Sequence, residues 1–120
     1  MRFLGLTFAT LVLAPPSAAQ AQDPRGYRGR WNGWGYEPME LAQGVWRVTV
    51  AAVEAEDNDF KLASEDWGHE WTTGGALPLG QIRTAYTFGE NTELTATPGR
   101  RYTFALEDAD YGAASRMLAQ

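Results

Sequence analysis

An antiparallel β-sandwich of immunoglobulin-like type, all-β with about seven strands, is the fold this sequence predicts. Three observations carry the prediction. Apolar residues recur with period two in a series of short segments. Turn-forming Gly, Asn, Asp and Pro separate those segments roughly every 10 residues. Beyond residue 21, no stretch shows the 3.6-residue period of a convincing helix.

The first 21 residues stand outside that pattern. Met1-Arg2 is a short basic start, and Phe3 to Ala14 is mostly apolar. Pro15-Pro16-Ser17 then breaks any helix, and Ala19-Gln20-Ala21 fits the small-x-small rule for signal cleavage. About a dozen apolar residues fall short of the roughly 20 needed to cross a bilayer. Residues 1–21 therefore read as a signal peptide that is removed, with the mature chain starting at Gln22. The chain contains no cysteine, which excludes a lipid-anchored mature terminus. The expected location is secreted or periplasmic, with no membrane association after cleavage.

The remaining 99 residues suit one domain, 27–120, behind a flexible lead-in at 22–26. Without disulfides, its stability must come from the core. All five tryptophans and all five tyrosines fall in this part. Its net charge is −6, from nine Lys+Arg against fifteen Asp+Glu. An acidic surface repels phosphate backbones, so nucleic acid is an unsuitable partner. No basic amphipathic helix points to a membrane surface.

In order, Tyr27 to Trp31 reads as a first strand with Tyr27, Gly29 and Trp31 on one face. Asn32-Gly33-Trp34-Gly35 is a tight turn. Pro38 to Leu41 crosses to a second turn at Gln43-Gly44. Val45 to Val53 is the clearest strand, with Trp46, Val48, Val50 and Ala52 inward. Glu54 to Asn58 is an acidic turn. Next comes a strand from Asp59, with Phe60 and Leu62 inward and Lys61 outward. Thr72 to Gly80 is a loop. Gln81 to Phe88 reads as a strand with Ile82, Thr84, Tyr86 and Phe88 on one side. Thr92 to Thr97 carries Leu94 and Ala96, and Pro98-Gly99 turns. Arg101 to Glu107 places Tyr102, Phe104 and Leu106 inward. Asp108 to Gly112 turns, and Ala114 to Ala119 closes the fold.

The stretch Asp59 to Trp71 says most about function. It gathers Lys61, the acids Glu65, Asp66 and Glu70, the indoles Trp67 and Trp71, and the chain's one histidine, His69. A cation, carboxylates and indoles at one strand end suit a flat polar ligand better than a core.

Several motifs resemble one family. Arg28-Gly29-Arg30-Trp31-Asn32-Gly33-Trp34 looks like the Gly-x-Phe/Met-Asn-x-Trp signature that opens starch- and glycogen-binding modules. Gly44-Val45-Trp46 is similar to the start of their next strand. Phe60-Lys61-Leu62-Ala63-Ser64-Glu65-Asp66-Trp67 resembles the Phe-Lys-x-Ala-x-x-Asp-Trp segment of modules in secreted pullulanases and outer-membrane starch-binding proteins. Gly89 to Thr92 and Pro98 to Phe104 look like their last third. The resemblance covers roughly Tyr27 to Leu118. It implies a non-catalytic carbohydrate-binding module for α-glucan, with Trp34 and Trp67 stacking on glucose and Lys61 and Asn91 bonding its hydroxyls. Trp71 is a further candidate that extends the platform or covers the sheet end. Trp31 stands where the family has Phe or Met, and Ser-Glu-Asp-Trp replaces Asp-Gly-x-Trp, departures that bear on the ligand more than on the fold.

Other readings of the same residues carry less. His69-Glu70 has no serine or cysteine placed by motif as a nucleophile, so no catalytic residue is assigned. Glu65, Asp66 and Glu70, or Asp108 and Asp110, lack the spacing of a calcium loop, and no metal or cofactor is expected. The chain ends at Gln120, so a glycoside hydrolase partner would be a separate secreted protein. The rival reading is a sandwich that serves as an interaction or structural domain without a sugar site. In that case Trp34 and Trp67 would be mostly buried or would pack on a protein partner.

Overall fold

The computed structural model describes residues 24–52, 57–87, 89–107 and 115–120. Among them the chain forms two antiparallel five-stranded sheets packed as a sandwich. The strands are β1 Arg25–Gly29, β2 Glu37–Pro38, β3 Glu40–Ala42, β4 Val45–Ala51, β5 Asp57–Ser64, β6 Glu70–Trp71, β7 Arg83–Thr84, β8 Thr92–Thr95, β9 Arg101–Glu107 and β10 Arg116–Ala119. Three of these ten hold two residues each, and the other seven carry the fold.

The first sheet runs β2-β1-β5-β6, with β8 also pairing β5. The second runs β3-β4-β9-β10-β7. Alternation decides which face each residue takes. Trp46, Val50, Tyr102, Phe104 and Leu106 from the second sheet meet Tyr27, Phe60 and Leu62 from the first. Phe104 packs edge-on against Phe60 with ring centroids 4.7 Å apart, and Tyr27 lies 5.1 Å from Phe104. The Tyr27 hydroxyl enters this core by donating to Asn58 Oδ1 at 2.5 Å. Burial raises its pKa well above the usual tyrosine range.

The lead-in ends earlier than expected. Arg25 and Gly26 belong to β1 and are buried, while Gln22 and Asp23 lie outside the described residues. The Arg25 guanidinium reaches between the sheets, 4.8 Å from the Trp46 ring centre and 4.6 Å from that of Trp71. Aromatic faces accept a cation there, which composition cannot announce. Trp31 is buried as expected, but on a 3₁₀ turn, Arg30–Asn32, rather than a strand. The Asn32 side chain closes that turn by bonding the Gly29 amide and the Tyr27 carbonyl.

The expected strand from Gln81 to Phe88 shrinks to Arg83–Thr84. Ile82, Thr84 and Tyr86 face solvent, while Ala85 between them is buried. The cause is a change of sheet. Arg83 and Thr84 pair β10, Ala85 donates to Ser115, and Tyr86 exchanges backbone bonds with Thr72 beside β6. Four residues thus cross from one sheet to the other. The signal-peptide segment and the turns expected at Glu54–Asn58 and Asp108–Gly112 fall wholly or mostly outside the described residues. No helix among the described residues is long and apolar enough to cross a membrane.

Candidate functional site

The outer face of the first sheet is built by β1 and β5. Because Tyr27 and Gly29 turn inward, Arg28 turns out; because Phe60 and Leu62 turn inward, Lys61 turns out. The antiparallel register sets Arg28 directly opposite Lys61. The β5–β8 ladder ends at Phe60 opposite Thr92. Half-buried Asn91 directly precedes Thr92, just past the end of that ladder. Arg28 and Lys61 therefore stand side by side on this face, although they are far apart in sequence.

Lys61 is not a free surface cation. Its Nζ donates to Glu70 Oε1 at 2.7 Å, and the two side chains are only 17% and 29% exposed. Glu70 reaches it from β6, the short strand that pairs β5 at Leu62 and Ala63.

Trp67 comes from the turn between β5 and β6, and its backbone is fixed from several directions. Its amide donates to the Ser64 carbonyl at 3.1 Å, and Ser64 in turn donates to the His69 carbonyl at 2.9 Å. Asp66 Oδ1 accepts from the Gly68 amide and the Ser64 hydroxyl, each at 2.8 Å. Those two donors hold the Asp66 carboxyl below its usual range, the Gly68 amide having the larger effect. Asp66 is thus the brace of the turn rather than an ion ligand. The Arg28 guanidinium lies 4.1 Å from the Trp67 ring centre, and it donates to the carbonyls of Glu65 at 2.6 Å and Ser64 at 3.3 Å. Tyr36 approaches the same guanidinium at 5.7 Å.

Trp34 is tied to the next residue of the same strand, because its amide donates to the Gly29 carbonyl at 2.8 Å. Both exposed tryptophans have left-handed backbones, with φ 63° at Trp34 and φ 64° at Trp67. A bulky residue in that region costs about 1–2 kcal/mol. The two residues are 37% and 38% exposed. Strained residues kept in place by their surroundings concentrate at functional sites.

Trp71 requires a correction. It is fully buried, opposite Leu62 on the inner face, and offers no surface to a ligand. The phase of β6 explains this: Glu70 points out to Lys61, so Trp71 must point in. His69 stacks over Trp71 at 6.4 Å, and its carbonyl closes the Ser64 turn. Among the described residues, no group of three or more His, Asp or Glu is arranged to hold a metal ion. Sequence reasoning passed over Arg28 and Tyr36 as members of the site, and it counted Glu70 in the cluster without pairing it to Lys61. The outward phase of Arg28 was legible in the Tyr27-Arg28-Gly29 alternation; its partners were not.

No family model matches the chain, and no curated protein matches it. Among solved structures, the fold is similar to the ligand-induced structure of AmyP-SBD, a starch-binding domain, with a TM-score of 0.62 and 14% sequence identity. The match covers 100% of this chain and 93% of that one. The chain thus shares the β-sandwich fold of that domain.

Proposed function

We propose that this chain is a non-catalytic module that recognises α-glucan, such as starch, glycogen or maltooligosaccharide, on the outer face of the first sheet. Trp67 and Trp34 stack on the apolar faces of the glucose rings, while Lys61 and Asn91 bond the hydroxyl edges. One observation carries the reading. Two tryptophans, each on a strained turn, are held exposed against neighbouring residues of a single strand. An indole kept in water at a cost in strain is explained by a ligand that covers it. The same exposure speaks against a sandwich whose two tryptophans have turned into the core; the rival in which they pack on a protein partner is separated by the sugar-binding test.

The charges favour a neutral ligand. Both cations of the face are already engaged, Lys61 by Glu70 and Arg28 by two carbonyls. The exposed acids Glu65 and Asp66 stand beside Trp67 and repel anionic polysaccharides. In the cell, the module would be exported by residues 1–21 and work beside a separate secreted glycoside hydrolase.

Calorimetry or affinity electrophoresis with soluble starch and maltoheptaose tests the reading. Binding that is lost in Trp67→Ala and weakened in Trp34→Ala is the expected result. A wild-type protein that binds none of several α-glucans overturns it. Sequencing the N-terminus of the exported protein tests the expected start at Gln22.

A further inference from the structure

The turn that carries Trp67 is braced through its backbone, and a braced backbone does not by itself orient an indole. Ser64 and Asp66 fix where the turn runs. An exposed side chain on such a turn keeps several rotamers unless something packs against it. Arg28 is what packs there, with its guanidinium 4.1 Å from the ring centre.

Arg28 is itself unusually constrained. Its Nη1 donates to the Glu65 and Ser64 carbonyls, which ties β1 to the strand end from which Trp67 springs. Two residues earlier on the same outer face is Gly26. A Cβ added there would come within 2.5 Å of the Tyr36 ring. The glycine thus lets Tyr36 lie flat on the strand and meet the guanidinium at 5.7 Å. Arg28 is anchored by backbone carbonyls and by two aromatic rings. A planar cation with several donors can do this; an ammonium group cannot reproduce the plane.

We infer that Arg28 is a positioning residue that sets the Trp67 indole before ligand arrives, leaving the opposite ring face for the sugar. This deepens the α-glucan reading above and rests on it. Arg28 acts through Trp67 rather than through the sugar, because its Nη1 is tied to the Glu65 and Ser64 carbonyls and its guanidinium is laid against the Trp67 ring. Ordering the ring in advance removes an entropy cost from binding, which corresponds to about three- to tenfold in affinity.

The test pairs a ligand-free measurement with a binding cycle. The first compares the Trp67 indole N–H signal, assigned by its disappearance in Trp67→Ala, in wild type, Arg28→Ala, Arg28→Gln and Arg28→Lys by ¹⁵N relaxation. The expected result is an indole that becomes mobile in all three variants, while backbone amides of β1 and β5 keep their wild-type order. The second measures maltoheptaose affinity for Arg28→Ala, Trp67→Ala and the double variant. Arg28→Ala should lose about three- to tenfold, and should cause no further loss once Trp67 is gone. An indole equally ordered without Arg28, or losses that add in the double variant, overturns the inference. If the wild type binds no α-glucan, the functional reading fails, and the relaxation measurement still decides the role of Arg28.

Discussion

Replacing Trp67 by glycine should yield a more stable protein than replacing it by alanine, the reverse of the usual order within a strand or helix. The reason is the backbone at φ 64°, which alanine keeps under strain and glycine does not. Both substitutions lose the same packing. Trp67 is 38% exposed, so burial of the remainder contributes about 1–2 kcal/mol. The Arg28 stack at 4.1 Å contributes about 1 kcal/mol more. Alanine should therefore cost about 2–3 kcal/mol. Glycine recovers about 1–2 kcal/mol of strain and gives back about 0.4–1 kcal/mol to the greater freedom of its unfolded chain. The net difference is about 0.8 kcal/mol in favour of glycine at the middle of both ranges. In a domain of this size that corresponds to about 3–6 °C in melting temperature. Thermal and urea unfolding of the two variants measure it directly. Both should also lose α-glucan binding. If alanine proves as stable as glycine, the turn does not hold this position left-handed, and the claim that Trp67 is kept there against strain is wrong.

Other expectations follow from the same geometry. Trp71→Ala should cost about 3–5 kcal/mol in urea unfolding, as for a fully buried indole, and should leave the sugar affinity of the folded protein unchanged. Lys61→Met leaves Glu70 half-buried without its partner and should destabilise by about 1–3 kcal/mol; adding Glu70→Met should recover most of that loss in a double-mutant cycle. Asp66 has a folded pKa depressed below the ordinary 3.8, so its brace is fully present above that value and is lost as pH falls through the lower folded value. An acid titration followed by amide shifts of Trp67 and Gly68 should show the turn loosening only below about pH 4, and Asp66→Asn should remove that step.

How much of this was legible beforehand differs between fold and site. The period-two alternation at Val45 to Ala52 and at Arg101 to Glu107 named the buried residues of β4 and β9 correctly, because a half-buried strand needs only a local pattern. Gln81 to Phe88 failed for the same reason. Its alternation is real, but a chain that changes sheet midway presents Ile82, Thr84 and Tyr86 to water and buries Ala85 instead, while Phe88 lies outside the described residues. Arg25, which composition assigns to a polar lead-in, is buried because two indoles receive its cation.

By itself, the sequence determined the all-β class, the inward and outward phases of the long strands, and the turns on which Trp34 and Trp67 stand. Those properties depend on neighbours one to four residues away. Only the tertiary structure decided what the outward residues meet. Register set Arg28 opposite Lys61 and brought Glu70 to the same lysine; the folded turn laid Trp67 on Arg28; and the phase of β6 sent Trp71 into the core. Strand pairing joins residues more than thirty positions apart, as with Arg28 and Lys61, and no local pattern encodes such a partner.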